Sequence, residues 1–227
     1  MKPFNTLAET RTPNGARFSL HEHCGDFFLK LNGTQLMSST ATVSEELLAD
    51  HACDWRDRRK APRVLIGGLG LGFSLRRVLE LVDDAAMVEV AELLPEVVAW
   101  NRDFLRSLNG PLLDDARVKV TVGDVFDCIK KHQGYYDAIM LDVDNGPTSF
   151  VQPKNSRLYT RNGFALIRRS LRPAGRVAFW SAEKEPMFQH HFKDAGFYVE
   201  EIPAKAHERA KRFAHRIYSG EMMGVES

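Results

Sequence analysis

A glycine-rich segment in the first half of the chain has the spacing of a ligand-binding loop. The segment Gly67-Gly68-Leu69-Gly70-Leu71-Gly72 follows an apolar run and precedes an amphipathic stretch, so it joins a predicted strand to a predicted helix. Glycine lets the backbone turn sharply and approach a ligand, and the helix N-terminus beyond presents unpaired N–H groups. The dinucleotide fingerprint GxGxxG would need glycine where the chain has Phe73 or Leu75. The GxGxG spacing therefore favours a sulfonium nucleoside, which lacks a pyrophosphate; a plain strand-to-helix turn is the alternative.

Two acidic residues of the second predicted strand compete for the ribose of such a nucleoside. Glu92 ends the strand AMVEVAE, about 20 residues beyond the last glycine, where an acid can accept both ribose hydroxyls. Glu89 lies in the middle of the same strand, so we favour Glu92. A solvated carboxylate at the strand end is the alternative for Glu92.

The next strand-to-helix junction carries a third acid. Asp124 and Val125 stand where the predicted strand VKVTV gives way to the predicted helix DVFDCIKKH. The Asp124 carboxylate can accept a hydrogen bond from an adenine amino group, or it can simply cap the helix, which aspartate also favours. The residues alone leave both roles open.

A cluster of acids follows the buried strand DAIMLD. Asp142-Val143-Asp144-Asn145 lies at its carboxyl end, and ligands of open α/β sheets bind outside the carboxyl ends of strands. Carboxylates that stand close together repel each other, which raises the pKa of one of them and suits a general base or an amine holder. We therefore predict Asp142 and Asp144 as the catalytic pair; a structural role in capping the following loop is the alternative.

The elements that must position these residues alternate between strands and helices from Arg63 onward. This alternation predicts a parallel, doubly wound α/β sheet. A last pair of strands, YVEEIP and RFAHRIYSG, would close it as a hairpin. Seven strands with the last two consecutive is the order of the Rossmann-like, methyltransferase-type sheet, and we predict that fold class for residues 56–227.

Residues 1–55 are predicted to form a small β-rich N-terminal subdomain with one helix. Short stretches of β-forming residues flank Asn32-Gly33, a strong hairpin signal. Thr42-Val43-Ser44-Glu45 has the spacing of a capping box and predicts a helix that runs to about Trp55.

Composition and charge limit the classes of function. The formal net charge is +1, from 31 basic and 30 acidic residues, which argues against a dedicated nucleic-acid binder. The three scattered cysteines show no metal-ligand spacing, so we expect no metal. No run of 18 apolar residues and no signal-peptide pattern is present, which predicts a cytoplasmic protein without a membrane span. The basic run Lys205–Arg212 could contact an acidic acceptor or form a solvated loop, and Trp180 could pack or stack on a ligand.

Taken together, these segments resemble the spermidine synthase (aminopropyltransferase) family of the methyltransferase-like superfamily. The resemblance runs from about Gly33 to Gly175, and its matching stretches are GTQLMSS, RVLIGGLGLG, VEVAELLPEVV, VKVTVGDVFDCI, YYDAIMLDVDNGP and LYTRNGFALIRRSLRPAG. It implies that Glu92 holds the ribose, that Asp124 contacts adenine and that Asp142 binds and activates an attacking amine. It also implies that Gln35 lies near the nucleoside.

The chain departs from the family pattern where the family binds the aminopropyl group and the amine. Gly70 replaces an acid that holds the aminopropyl amine, and Ser44 and Glu45 replace a tyrosine–histidine pair of the putrescine site. The second acid of the DSSD motif falls on Asn145, with Asp144 as its substitute after a shift of one residue. We therefore expect putrescine to be a poor substrate.

The predicted function is transfer of a methyl or aminopropyl group from S-adenosylmethionine or decarboxylated S-adenosylmethionine to a small acceptor, an amine. Because Gly70 stands where the family has an acid, we slightly favour methyl transfer. The alternatives are a nucleoside-binding protein that has lost catalysis and a genuine polyamine aminopropyltransferase. RNA modification would need Lys205, Lys211 and Arg212 to converge on the crevice. A homodimer stays open.

Overall fold

Two β-sheets form the frame of the computed structural model, which describes residues 4–55, 59–142 and 153–222. The first sheet is antiparallel, with its strands in sequence order: β1 (Asn5–Arg11), β2 (Arg17–His23), β3 (Asp26–Leu31) and β4 (Thr34–Ser38). The Asn32-Gly33 hairpin is confirmed, with φ angles of 49° and 85° at its two central residues. Strand β1 was not among the predicted elements; its mixed sequence NTLAETR pairs only with β2, at the edge of the sheet.

Helix α1 (Val43–Ala52) links the first sheet to the second. The predicted helix is present, but the predicted capping box is wrong. The Thr42 hydroxyl donates to Glu46 Oε1 at 3.2 Å, and the Glu45 carboxylate is buried and accepts a hydrogen bond from the Ser44 hydroxyl at 2.7 Å. Because Glu45 turns inward with Ser44, its side chain does not reach back to cap the helix.

The second sheet has the predicted seven strands in the described residues. They are β5 (Arg63–Gly67), β6 (Met87–Glu92), β7 (Val118–Val122), β8 (Tyr136–Leu141), β9 (Leu171–Ser181), β10 (Phe197–Ala204) and β11 (His215–Met222). Their order across the sheet is β10-β11-β9-β8-β5-β6-β7. The sheet is parallel except for β11, which runs antiparallel to both of its neighbours. Every residue of the central strand β8 is buried.

Helices cover both faces of this sheet. They are α2 (Phe73–Leu81), α3 (Pro95–Asp103), α4 (Arg106–Asn109), α5 (Val125–Lys131), α6 (Arg161–Ser170) and α7 (Pro186–Asp194). Residues 95–109 form two helices, α3 and α4, rather than one continuous helix. The Trp100 carbonyl accepts the N–H groups of both Phe104 and Leu105, and the turn this creates buries Leu105 in the core.

The core lies on the two faces of the second sheet. One face packs against the first sheet and against α1, α2 and α3, whereas the other packs against α5, α6 and α7. Among the described residues, no helix has the length and apolar character needed to cross a membrane.

Candidate functional site

The carboxyl ends of β5, β6 and β8 meet at one edge of the second sheet. Backbone hydrogen bonds join the loops that follow them: Gly68 N–H donates to Ala91 O at 2.9 Å, and Asp142 N–H donates to Gly67 O at 3.1 Å. Neighbouring strands lie about 4.8 Å apart. The glycine loop is therefore flanked by the strand that ends in Glu92 and by the strand that precedes Asp142.

The glycine loop needs its glycines for their backbone angles. Gly68, Gly70 and Gly72 have φ angles of 92°, 51° and 90°, in the left-handed region where side chains are disfavoured. A Cβ atom on Gly70 would also lie only 2.6 Å from Met37 Sδ. Met37, from β4, thus covers the loop at the position where the family pattern has an acid.

Two asparagine side chains hold the loop from the other side. Asn101 Nδ2, on α3, donates to Gly70 O at 2.9 Å, and Asn109 Nδ2 donates to Leu71 O. A Cβ atom on Gly72 would approach both amide groups at 3.0–3.1 Å. Sequence reasoning missed these two residues; the available signal for Asn101 is a polar residue at a position that the helix buries.

Glu92 lies inside the site rather than in solvent. Its side chain is only 7% exposed, and its two oxygens accept the N–H of Leu69 at 2.8 Å and that of Leu94 at 2.9 Å. Burial raises the pKa of the Glu92 carboxyl above its ordinary value, against the opposing effect of the backbone N–H donors. The solvated alternative for Glu92 is wrong, and its carboxylate is tied directly to the glycine loop.

Glu89, the competing acid, belongs to a different environment. Its carboxylate accepts hydrogen bonds from Lys119 Nζ at 3.0 Å, Thr121 Oγ1 at 2.7 Å and the Tyr136 hydroxyl at 2.8 Å. Burial pushes the pKa of Glu89 upward, but these donors outweigh it and hold the pKa below its ordinary value. Glu89 is thus committed to a structural network that joins β6, β7 and β8.

Asp124 contacts Phe126 and Arg157 among the described residues. Its Oδ1 accepts the Phe126 N–H at 2.9 Å, which confirms the N-cap role, and its Oδ2 lies 2.6 Å from Arg157 Nη2. The Arg157 guanidinium also lies 4.1 Å from the centre of the Phe126 ring. Val125 follows as the buried first residue of α5. The contact between Asp124 and adenine stays a prediction, and Arg157 is a neighbour that sequence reasoning missed.

The structure describes only some of the remaining predicted site residues. Asp142 is half-buried directly after β8, whereas Asp144 and Asn145 lie outside the described residues. Gln35 is exposed on β4 opposite Lys30, and the pairing of β3 with β4 shifts register between Gln35 and Met37. Met37 contacts the glycine loop, and the place of Gln35 near the nucleoside stays a prediction.

A comparison with protein families shows which family this chain belongs to. The model of the spermine/spermidine synthase domain matches residues 44–224. The chain belongs to this family. It is 33% identical over 166 residues to polyamine aminopropyltransferase 2 of Pseudomonas aeruginosa, covering 70% of this chain and 44% of that protein. It is 31% identical over 155 residues to polyamine aminopropyltransferase of Escherichia coli, covering 63% and 51%.

Solved structures share the fold of this spermine/spermidine synthase family member. A spermidine synthase in complex with the transition-state analogue AdoDATO superposes with a TM-score of 0.78 at 16% identity, covering 97% of this chain and 75% of that one. The spermidine synthase of Thermotoga maritima gives 0.73 at 15%, covering 97% and 73%. These likenesses confirm the predicted fold class, including the small N-terminal sheet.

The chain spans about half or less of the length of the two curated relatives named above, with 44% and 51% of each matched.

Two residues of α1, Ser44 and Glu45, depart from the family pattern. The matched region includes α1, where Ser44 and Glu45 bond to each other in the interior. These two residues therefore depart from the family pattern inside the matched region of this spermine/spermidine synthase family member, and what they bind stays a prediction.

Proposed function

We propose that the chain transfers the aminopropyl group of decarboxylated S-adenosylmethionine to a small amine. The observation that carries this proposal is the junction of the glycine loop with the Glu92 carboxylate, in a chain that belongs to the spermine/spermidine synthase family. The residues alone tilt toward methyl transfer because Gly70 removes an acid. The family reverses that preference, since the curated relatives are polyamine aminopropyltransferases.

The nucleoside would occupy the crevice beside the glycine loop. The Glu92 oxygens accept the N–H groups of Leu69 and Leu94, and the N–H groups of Leu93 and Gly70 also lie near enough to lower its pKa. A carboxylate has about four lone-pair sites, so the ribose hydroxyls would use those that the Leu69 and Leu94 N–H groups leave. Asp124 would meet the adenine amino group at the next strand end, with Arg157 holding one of its oxygens. These two acids account for binding of the donor, not for the transfer.

Asp142 would serve the transfer itself. The amine nitrogen forms a bond to the aminopropyl carbon next to sulfur, the carbon–sulfur bond breaks, and sulfur keeps the electron pair as methylthioadenosine leaves. The amine must lose a proton to attack and another afterwards, and the Asp142 carboxylate can hold the ammonium and accept a proton. In-line positioning in a site that excludes water would supply the rest of the rate.

The nucleoside product tests this proposal. The protein is incubated with an amine mixture and with either decarboxylated S-adenosylmethionine or S-adenosylmethionine, and the products are identified by mass spectrometry. We expect methylthioadenosine that forms only with the decarboxylated donor and only with an amine. S-adenosylhomocysteine as the product would overturn the proposal in favour of methyl transfer. Tight nucleoside binding without either product would favour a binding protein.

A further inference from the structure

The loop between β10 and β11 lies at the same edge of the sheet as Asp142. Leu141 pairs with Phe179, so Asp142 follows beside Trp180 at the ends of β8 and β9. Trp180 in turn pairs with Ile217 of β11, which begins at His215. With about 4.8 Å between strands, the path from Asp142 past Trp180 to His215 covers two strand spacings. This is the dimension of a short, extended amine.

The same loop is basic, and its cations have no carboxylate partners among the described residues. Residues 205–214 contain four Lys or Arg side chains and one acid, Glu208. In the part of the chain that the structure describes, no ion pair involves any of those four cations. Arginines elsewhere do pair: Arg117 with Asp115 at 2.9 Å, and Arg176 with Asp54 at 2.7 Å. A group of unpaired cations beside a predicted reaction site favours an anionic ligand.

A cavity of about 370 Å³ separates this loop from the start of α1. Thr40, Thr42 and Glu46 contribute one side of it, and His207, Glu208 and Arg209 contribute the other. The Glu46 carboxylate is paired with Arg76 at 3.3 Å, so its charge is already compensated. The next acid of α1, Glu45, is turned into the interior and bonded to Ser44.

Among the described residues, the wall beside Asp142 includes a hydrogen-bond donor, the Trp180 indole N–H. The Trp180 and His215 rings are in contact with their centres 4.7 Å apart, and Trp180 Nε1 and His215 Nδ1 are buried with no hydrogen-bond partner among the described residues. Burial and the neighbouring Arg216 lower the pKa of His215, which keeps its imidazole neutral near neutral pH. An indole N–H can only donate, so it suits an oxygen of a ligand and not an ammonium. The indole would have to turn to reach one, because Nε1 is covered.

We infer that the acceptor is an amine whose far end is an anion, such as an ω-amino carboxylate, and that the β10–β11 loop binds that end. This inference rests on the proposed aminopropyl transfer and specifies its acceptor class. The amine end lies at Asp142, and the carboxylate lies toward Arg209 and the other cations of the loop. A diamine would instead bring a second ammonium to a basic loop, where like charges repel it.

Putrescine and 4-aminobutanoate form a matched pair of probes, because they share a four-carbon chain and differ in the charge of the far end. Binding of each to the protein saturated with methylthioadenosine is measured by calorimetry, and transfer is measured as methylthioadenosine release from decarboxylated S-adenosylmethionine. We expect 4-aminobutanoate to bind at least about tenfold more tightly than putrescine, a difference of about 1.4 kcal/mol.

Charge reversal locates the effect. Arg209→Glu should weaken binding of 4-aminobutanoate by about tenfold and reduce or invert the preference over putrescine. Arg168→Glu is the matched control, since Arg168 is another exposed arginine, on α6 against the opposite face, and it should change neither value.

The two assays separate this inference from the proposed function. Equal or tighter binding of putrescine, or no binding of 4-aminobutanoate, would overturn the inference even if methylthioadenosine is released. The expected binding preference without any release would support the inference and contradict aminopropyl transfer instead.

Discussion

Glu92 has an observed structural role and a proposed role in binding the ribose. Its carboxylate anchors the glycine loop through the Leu69 N–H and its own strand end through the Leu94 N–H, and it is buried there. In the proposed function, the same oxygens also accept the ribose hydroxyls. A buried acid with only N–H donors around it gains further stabilisation when hydroxyl groups arrive, because they too hydrogen-bond to the charged form.

The first prediction separates the two tasks of Glu92. Glu92→Ala should weaken binding of methylthioadenosine by about 1.5–3 kcal/mol, the range for hydrogen bonds to a charged group. It should also lower the free energy of unfolding by about 1–3 kcal/mol, because two buried N–H groups lose their acceptor. Calorimetry and denaturant unfolding measure the two effects.

Glu89→Ala is the matched control for this prediction. It removes an equally buried acid of the same strand, so it should lower stability and leave nucleoside affinity unchanged. An unchanged dissociation constant in Glu92→Ala, or a similar loss of affinity in both variants, would show that Glu92 is not the ribose ligand.

The second prediction concerns Asp142. Asp142→Asn keeps the shape of the side chain and removes its charge and basicity, so turnover should fall by about 10²–10⁴-fold, the scale of a positioned general base. Affinity for methylthioadenosine should stay within a few-fold, because Glu92 and Asp124 are unchanged. Steady-state rates paired with binding measurements check this. Near-normal turnover would exclude Asp142 from the mechanism.

The third prediction follows from the burial of Glu45. Burial raises the pKa of this carboxyl, so it stabilises the fold fully below its ordinary pKa, and the contribution is lost as pH rises through the raised value. Raising the pH from about 5 to about 8 should therefore lower the free energy of unfolding less in Glu45→Gln than in the wild type. Glu92 has a pKa shift of the same sign and is present in both proteins, so it cancels. An identical loss in both would contradict this.

At the scale of elements, the contact between β4 and the glycine loop joins the two sheets beside the site. Met37 lies against Gly70, and the register shift next to it leaves Gln35 exposed on β4. An acid at position 70 would meet the Met37 thioether, in addition to the strain of a left-handed backbone. Met37 therefore occupies the space that an acidic side chain at position 70 would need.

The fourth prediction tests this contact with a double-mutant cycle. Gly70→Asp should lower the free energy of unfolding by more than the roughly 1–2 kcal/mol of a left-handed side chain. Met37→Ala in the same protein should recover part of that loss, with a coupling of about 0.5–3 kcal/mol. Gly15→Asp is the control, since Gly15 has a φ of 85° with open space around it. Its cost should not couple to Met37→Ala, and additive effects at Gly70 would mean that Met37 does not close the position.

The sequence predicts most elements correctly because their patterns are local. The buried strands and the Asp124 cap are examples, since an apolar run or an N-cap aspartate specifies itself within a few residues. Strand β1 has no such pattern and exists through its pairing with β2. The segment after Pro95 forms two helices, α3 and α4, because Leu105 packs into a core that distant segments build.

The candidate site is predictable to the same extent and for the same reason. The glycines and Glu92 follow from spacing along one strand–loop–helix unit. Met37, Asn101 and Arg157 reach the site from segments far away in the chain, and only the packed fold shows which polar or apolar side chain arrives.

At the scale of the whole molecule, α1 is shared between the parts of the chain. It follows the first sheet in sequence, yet it packs on α2 and against the second sheet. The division into residues 1–55 and 56–227 stays a prediction, as does a homodimer. The fold places the glycine loop, Asp142 and the basic β10–β11 loop in this order along one edge of the second sheet.

We expect this edge to bind an adenosyl thioether at Gly67–Gly72 and Glu92. Calorimetry of the purified protein with methylthioadenosine, and separately with NAD, tests it most directly. We predict binding of methylthioadenosine on the order of micromolar, equivalent to about 8 kcal/mol, and no measurable heat with NAD. Tight binding of NAD with no response to methylthioadenosine or to decarboxylated S-adenosylmethionine would contradict the account.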